Sequence, residues 1–377
     1  MGSINNKGVY VTRPDLPDIQ DYIKYLELIW ESGMLTNMGR FHKELEKALR
    51  DFLEVSNLLL IANGTQALQI ALESYNLVGK EVITTPFTFA ATTHAIKLCG
   101  ATPVFCDICS DDFNINPELI QSHINERTAA ILGVHVFGNP CDTDAIREIA
   151  EKYSLITIYD AAHAFGVRRK GKSILREGDI STVSFHATKV FSTVEGGGIV
   201  INDEKVGEKL SLMRNFGIKN ENSILTVGTN AKMSELHAAY GLASLKSIES
   251  NKNRRRELYD QYCRKIVNID GVYIAKYYDQ GGNYSYCPVV LESELTARRD
   301  DIIYFMNKHH IFPRKYFYPL MSNTPVYNGL TTASSSKLPV ANVIADSIIC
   351  LPMYSQLNEL DVDKVCQVLE DAIRDSQ

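Results

Sequence analysis

One lysine in this chain keeps unusual company. Lys189 lies in SFHATKVFSTVEGGG (184–198), among Ser, Thr, His and Gly, with no acidic residue within five positions on either side. A surface lysine usually has charged neighbours, whereas an amine held back from water loses its proton more readily and can act as nucleophile and base. A lone loop lysine is ordinarily solvated, so the stretch needs partners before it implies chemistry. One is offered by LITIYDAAHAFG (155–166), where Asp160 ends a mostly apolar run and His163 follows three residues later. A free carboxylate there is costly unless paired, although read alone Asp160 serves equally well as a helix cap. Another is offered by NGTQALQIAL (63–72), where Gly64 and Thr65 open a helical pattern. Backbone N–H groups and the helix dipole at such a start suit a phosphate, yet many strand-to-helix turns look the same. Ser184 and His186 alternate with Val183 and Phe185, so they share one strand face.

These residues need elements to bring them together. From residue 57, short apolar runs alternate with helix-length patterns: NLLLIA (57–62), EVIT (81–84), TPVFCD (102–107), AAILGVH (129–135), LITIYD (155–160), STVSFH (181–186) and GGIVIN (197–202). Runs this apolar fit strands covered on both faces, as in a largely parallel sheet, and the alternation predicts an α/β layer fold. Ligands of such sheets sit beyond the carboxyl ends of the strands. Gly64, Thr65, Asp160, His163, Ser184, His186 and Lys189 all fall at such ends. Before the sheet, 18–53 reads as helical, with Phe41, Leu45, Leu49 and Leu53 forming a face to bury. After about 250 the rhythm changes to a long polar-faced helix, then short strands and helices. The expected organisation is a large α/β domain over 1–250 and a smaller C-terminal α+β domain over 251–377. GLTTASSSKL (329–338) reads as a mobile loop.

Composition narrows the function class. At 377 residues, two domains are the default. A net charge of −6 argues against a general nucleic-acid binder. No apolar run reaches the length of a membrane span. The start, MGSINNKG, has Asn6 where a myristoylation signal wants Ser or Thr, and reads as disordered. Cys106 and Cys109 have C-x-x-C spacing, but neither a second pair nor paired histidines stand nearby, so no metal site is expected. Scattered thiols without a signal peptide point to the cytoplasm.

Taken together, a phosphate-suited helix start, a buried carboxylate and a lysine at the strand ends of one sheet are the set that pyridoxal phosphate needs. The order LTNMG (35–39), NGTQAL (63–68), PFTFAAT (86–92), DAAHAFG (160–166), SFHATK (184–189), EGG (195–197), RNFG (214–217), TNAKMSEL (229–236) and YFYPL (316–320) resembles the DegT/DnrJ/EryC1/StrS sugar aminotransferases, within the fold-type I pyridoxal-phosphate enzymes, from about residue 10 to the C-terminus. The resemblance implies a mostly parallel seven-stranded sheet in the large domain. It implies that Lys189 is the Schiff-base lysine and that Asp160 partners the pyridine nitrogen. His163 lies near the phenolic oxygen, Phe89 stacks on the ring, and Gly64, Thr65 and Ser184 hold the phosphate. Asn230 reaches the phosphate from the neighbouring subunit of a homodimer. Thr36, Asn37, His186, Tyr316 and Tyr318 are candidates for the sugar-nucleotide walls; turn chemistry for the first two, strand-end hydrogen bonding for His186 and packing for the tyrosines are the ordinary alternatives.

The family converts nucleotide-linked keto-sugars to amino-sugars with glutamate as the usual donor. The stretch around Lys189 is similar to members aminating the 4-position of dTDP-4-keto-6-deoxyglucose for surface polysaccharides such as O-antigen, rather than to those reading SFYPTKNLGALGDGG, which aminate the 3-position. Amination at the 3-position, a GDP-linked perosamine-type substrate, and a non-catalytic regulator of the same fold are the competing readings. A dehydrogenase is disfavoured, since no G-x-G-x-x-G follows the first strand.

Overall fold

The computed structural model describes residues 8–275, 281–292 and 294–375. Of the stretch MGSINNKG, expected to be disordered, residues 1–7 lie outside the described residues.

All seven apolar runs are strands of one sheet: β1 (Leu58–Ile61), β2 (Glu81–Thr84), β3 (Thr102–Phe105), β4 (Thr128–Val134), β5 (Ile156–Asp160), β6 (Ile180–Ser184) and β7 (Gly197–Ile201). Their spatial order is β1-β7-β6-β5-β4-β2-β3. β3, β2, β4, β5 and β6 run parallel, while β7 is antiparallel to both its neighbours, β1 and β6. The residues of β2 and β7 are buried along their whole length, because helices cover both faces. Register aligns the carboxyl ends that matter: Val134 stands opposite Asp160, Asp160 opposite Thr182, and Ser184 opposite Gly197.

The 18–53 span forms two helices, Ile19–Ser32 and Arg40–Leu53, separated where Gly33 takes φ +65° as a left-handed cap. The second buries Phe41, Leu45, Leu49 and Leu53, as their spacing requires. In the C-terminal part, strands Val272–Ile274, Cys287–Leu291 and Ile348–Leu351 form an antiparallel sheet. It shares a core with residues of helices Ile248–Ile266, Arg299–Lys308 and Glu359–Asp375.

The boundary expected at 250–251 falls inside the helix Ile248–Ile266. The N-terminal segment, expected with the large domain, also bonds to C-terminal elements. Val9–Tyr10 pairs in parallel with Ile311–Phe312, where an edge strand offers free backbone groups, and the buried Asp15 carboxylate binds Arg255 at 2.9 Å and Ser355 at 2.5 Å. The 329–338 segment is pinned rather than loose. The Thr332 hydroxyl accepts the Phe105 N–H at 3.0 Å, and Ala333 and Leu338 are buried. Its Ser and Thr residues disguised two apolar anchors. Phe317, Leu320, Met321 and Tyr327 join the core that holds Phe87, Phe105 and Phe137, so the C-terminal part reaches across the sheet's carboxyl edge. No helix among the described residues is long and apolar enough to cross a membrane.

Candidate active site

That reach encloses a cavity of about 630 Å³ over the strand ends. Its lining includes Gly64, Thr65, Phe89, Asp160, His163, Ser184, His186, Lys189, Tyr316 and Tyr318, ten of the residues singled out from sequence.

Lys189 sits in the turn after β6, where its N–H donates to the His186 carbonyl at 2.9 Å. Burial lowers its amine to a pKa of about 8; the Asp160 charge works the other way, and the Arg314 charge adds to the fall. Asp160, 6% exposed at the end of β5, accepts the Thr92 hydroxyl at 2.7 Å and the Ala162 N–H at 3.0 Å. Burial pushes its carboxyl up, opposed by those two hydrogen bonds and by Lys189. Thr92 is itself within 2.7 Å of the Thr88 hydroxyl, which fixes the acceptor's geometry from the first turn of helix Ala90–Leu98. His163 is stacked on Phe317, ring centres 5.7 Å apart, and its Nε2 lies 3.3 Å from the Tyr286 hydroxyl. Burial first, then the Lys189 charge, holds its imidazole well below the ordinary value, so it is neutral.

At the opposite wall, Asn63 caps helix Gly64–Glu73 by accepting the Gln66 N–H at 2.8 Å. The first-turn N–H groups of such a helix have no intrahelical acceptor. Glycines let three backbones crowd there. A Cβ on Gly64 would meet Ser184 Cβ at 3.0 Å, and a Cβ on Gly197 would meet the Gly64 nitrogen at 2.7 Å. Phe89, just before its helix, is 60% exposed, an apolar ring face turned out of the core. His186 Nδ1 is 3.0 Å from the Thr188 hydroxyl, and its Nε2 is 3.8 Å from a Glu195 oxygen.

The residues fit pyridoxal phosphate on these observations. His163 Nδ1 is buried without a hydrogen-bond partner. The glycine cradle leaves a helix start open to an anion. Asp160 is a buried carboxylate that a cationic ring nitrogen would stabilise. Lys189 is an amine of depressed basicity.

Three sequence candidates lie away from the cavity of their own chain. Asn230 is exposed, and its side-chain oxygen accepts Lys232 Nζ at 2.8 Å. Thr36 and Asn37 are exposed in the turn between the two N-terminal helices, Asn37 with φ +66°. Conversely, Thr88, Thr92, His94, Glu195, Tyr286 and Arg314 were not singled out. Thr92 carried a signal, since it stands one helical turn beyond Phe89. Tyr286 and Arg314 carried none, because they arrive from the other end of the chain. The ligand atoms of Cys109, Asp111 and Asp112 lie within 4.8 Å of one another, and none of the three belongs to this lining.

Comparison with known proteins agrees with this geometry. Residues 18–370 match the DegT/DnrJ/EryC1/StrS aminotransferase family. The chain is 43% identical over 353 residues to a dTDP-4-amino-4,6-dideoxy-D-glucose transaminase of Shigella dysenteriae, covering 93% of this chain and 95% of that one. It is 42% identical over 368 residues to the transaminase of that name from Escherichia coli, covering 97% and 99%. The crystal structure of DesI in the presence of its TDP-sugar product superposes with a TM-score of 0.91 at 32% identity, over 98% of this chain and 94% of that one. With the match running from residue 18 to 370 and through every strand of the large sheet, this chain belongs to the DegT/DnrJ/EryC1/StrS aminotransferases and is a pyridoxal-phosphate-dependent enzyme.

Proposed function

We propose that the enzyme moves the amino group of L-glutamate to carbon 4 of dTDP-4-keto-6-deoxy-D-glucose, in the cytoplasm. The product is dTDP-4-amino-4,6-dideoxy-D-glucose, for O-antigen or a related surface polysaccharide. The observation that carries the substrate is the near-full-length identity of 42–43% to two transaminases named for that product.

Pyridoxal phosphate bound in the cavity supplies the carbonyl that takes up the amino group and the conjugated ring that draws electrons from the reacting carbon. The chain's own residues do the rest. Gly64, Thr65 and Ser184 would hold the phosphate at the helix start, and Phe89 would cover a ring face. Asp160, oriented by Thr92 and Ala162, would hold the ring nitrogen protonated. The neutral His163 would hold the ring's hydroxyl. Lys189, with a pKa near ambient pH, takes a proton from the reacting carbon as base and returns it as acid. Both half-reactions use this one amine. His186, Tyr316 and Tyr318 would wall the sugar.

We also infer a homodimer with the cavity at its interface. Asn230, Thr36 and Asn37 are exposed and outside their own cavity, which suits side chains that serve a partner's. Large apolar residues within six positions of them in sequence are also exposed, Trp30 at 70%, Ile224 at 70% and Val227 at 88%.

The test is to incubate the holoenzyme with glutamate and dTDP-4-keto-6-deoxyglucose, its GDP-linked counterpart, or a 3-keto isomer, and to locate the amine by NMR. Amine on carbon 4 of the dTDP sugar is expected. Amination at carbon 3, or equal turnover of the GDP sugar, overturns the substrate. No change of cofactor absorbance with glutamate would instead favour a regulator.

A further inference from the structure

His163 is gripped by one short segment of the C-terminal part, just ahead of strand Cys287–Leu291. The Asn283 amide donates to the His163 carbonyl at 2.8 Å and to the Phe165 carbonyl at 3.0 Å. The Ser285 hydroxyl donates to the Phe137 carbonyl at 3.0 Å and the His163 carbonyl at 3.4 Å. The Tyr286 hydroxyl lies 3.3 Å from His163 Nε2, with the two ring centres 4.6 Å apart. All three residues are buried. Phe317 and Phe137 stack along the imidazole plane, at 5.7 and 6.2 Å. The amide and the serine fix the backbone. The tyrosine alone meets a ring nitrogen.

A neutral imidazole carries one N–H, and the partner of one nitrogen decides what the other offers. Burial keeps His163 neutral. Two arrangements are then open at Nε2. Either its N–H donates to the phenol oxygen, or the phenol O–H donates to a bare Nε2. The second is favoured, because the phenol is the stronger acid and the imidazole nitrogen the stronger base. The ring's hydrogen then sits on Nδ1, which is buried and has no hydrogen-bond partner. A buried donor without an acceptor is costly. His163 lines the cavity, so an acceptor that enters with the cofactor removes that cost.

We propose that Tyr286 is a positioning residue: its hydroxyl donates to His163 Nε2 and keeps the imidazole proton on Nδ1, so that the chain presents a ready-made N–H donor to the hydroxyl oxygen of the pyridoxal ring. This rests on the reading that places His163 beside that oxygen. The opposite tautomer would set a bare nitrogen lone pair against an oxygen that, once ionised, is itself only an acceptor. With the tautomer chosen beforehand, binding the cofactor requires no shift of the proton between the ring nitrogens, and that preorganisation strengthens binding.

The experiment is nitrogen NMR of the full chain with isotope-labelled histidine, before and after loading with pyridoxal phosphate. The His163 signals are identified by their loss in His163→Gln. In the unloaded wild type, Nδ1 should carry the proton and Nε2 should be bare. Tyr286→Phe keeps the aromatic ring and removes only the hydroxyl. It should move about half or more of the molecules to the Nε2–H form, which free histidine favours in water. Its dissociation constant for pyridoxal phosphate should rise about 3- to 10-fold, the range for one net hydrogen bond. A purely structural tyrosine would leave the tautomer where it was. Loading the wild type should shift the Nδ1 signal. Nε2–H in the wild type, or an unchanged tautomer in Tyr286→Phe, overturns this proposal and leaves the reading of the cavity intact. An Nδ1 signal that the bound cofactor does not move takes His163 away from the ring's hydroxyl, and the proposal falls with that placement. Should Tyr286→Phe not fold, the wild-type tautomer decides by itself: Nδ1–H supports the proposal and Nε2–H overturns it.

Discussion

An amine with a pKa of about 8 is partly free base near neutral pH, where an ordinary lysine is fully charged. Burial accounts for this, and it suits the proposed role in which Lys189 would both bond to a carbonyl carbon and carry a proton. Lys189→Ala should lower kcat by about 10³-fold or more, in line with loss of a nucleophile and general base together. The protein should stay folded and still bind the cofactor, seen as absorbance that denaturation releases without reduction. Turnover within about tenfold of wild type would remove Lys189 from the mechanism. At this scale Lys189 and Asp160 drew notice because each breaks a local rule, an amine without acids and a carboxylate after apolar residues, whereas His163 was singled out only by its place three residues after Asp160. Thr92 and Tyr286 break none. Their role exists only through a hydroxyl aimed at Asp160 and another set 3.3 Å from His163.

The strands were legible as apolar runs because a sheet covered on both faces has no polar side to interrupt the pattern. Their order was not, since pairing depends on crossovers that leave no periodic trace. Nor did GGIVIN announce that β7 would run against its neighbours. The antiparallel course is what carries Gly197 past the start of helix Gly64–Glu73, and the close approach there explains the glycine better than flexibility does. Gly197→Ala would put a Cβ 2.7 Å from the Asn63 carbonyl carbon and the Gly64 nitrogen. Backbone on both sides must then separate, at a cost of about 1–3 kcal/mol. The expected outcome is a lower melting temperature and weaker pyridoxal phosphate binding by absorbance titration. An unchanged cofactor dissociation constant would mean that the cradle does not hold the phosphate.

Across the whole molecule, a largely buried ionic cluster ties helix Arg40–Leu53 to the sheet. Glu46 accepts Arg214 Nη1 at 2.5 Å and the Leu60 N–H at 3.0 Å, with His42 Nε2 at 3.1 Å. Burial alone would raise its carboxyl, but the His42 hydrogen bond and the Arg214 charge more than offset that and bring it to about 2. A depressed carboxyl stabilises the fold above its unfolded value of 4.5, and that contribution is lost as pH falls from 4.5 towards 2. The melting temperature should decline over that window, and Glu46→Gln should shrink the decline while destabilising the protein at neutral pH by about 3 kcal/mol. An identical pH profile in the variant would place the acid lability elsewhere. The assembly has its own test. Mixing inactive Lys189→Ala and Asn230→Ala subunits should restore part of the activity, since one site of the hybrid carries neither change; no recovery on verified mixing would argue against a shared cavity. Before any folding, the order of residue types along the chain already implied the layer architecture, the cofactor and its lysine, because burial and strand-end chemistry leave local marks. Folding alone decided that Arg314, Tyr286 and Tyr316 would close the cavity, that Val9–Tyr10 would pair with Ile311–Phe312, and that Asn230 and Asn37 would face outward. Those outcomes depend on packing between segments far apart in sequence, and no run of neighbouring residues records such a contact.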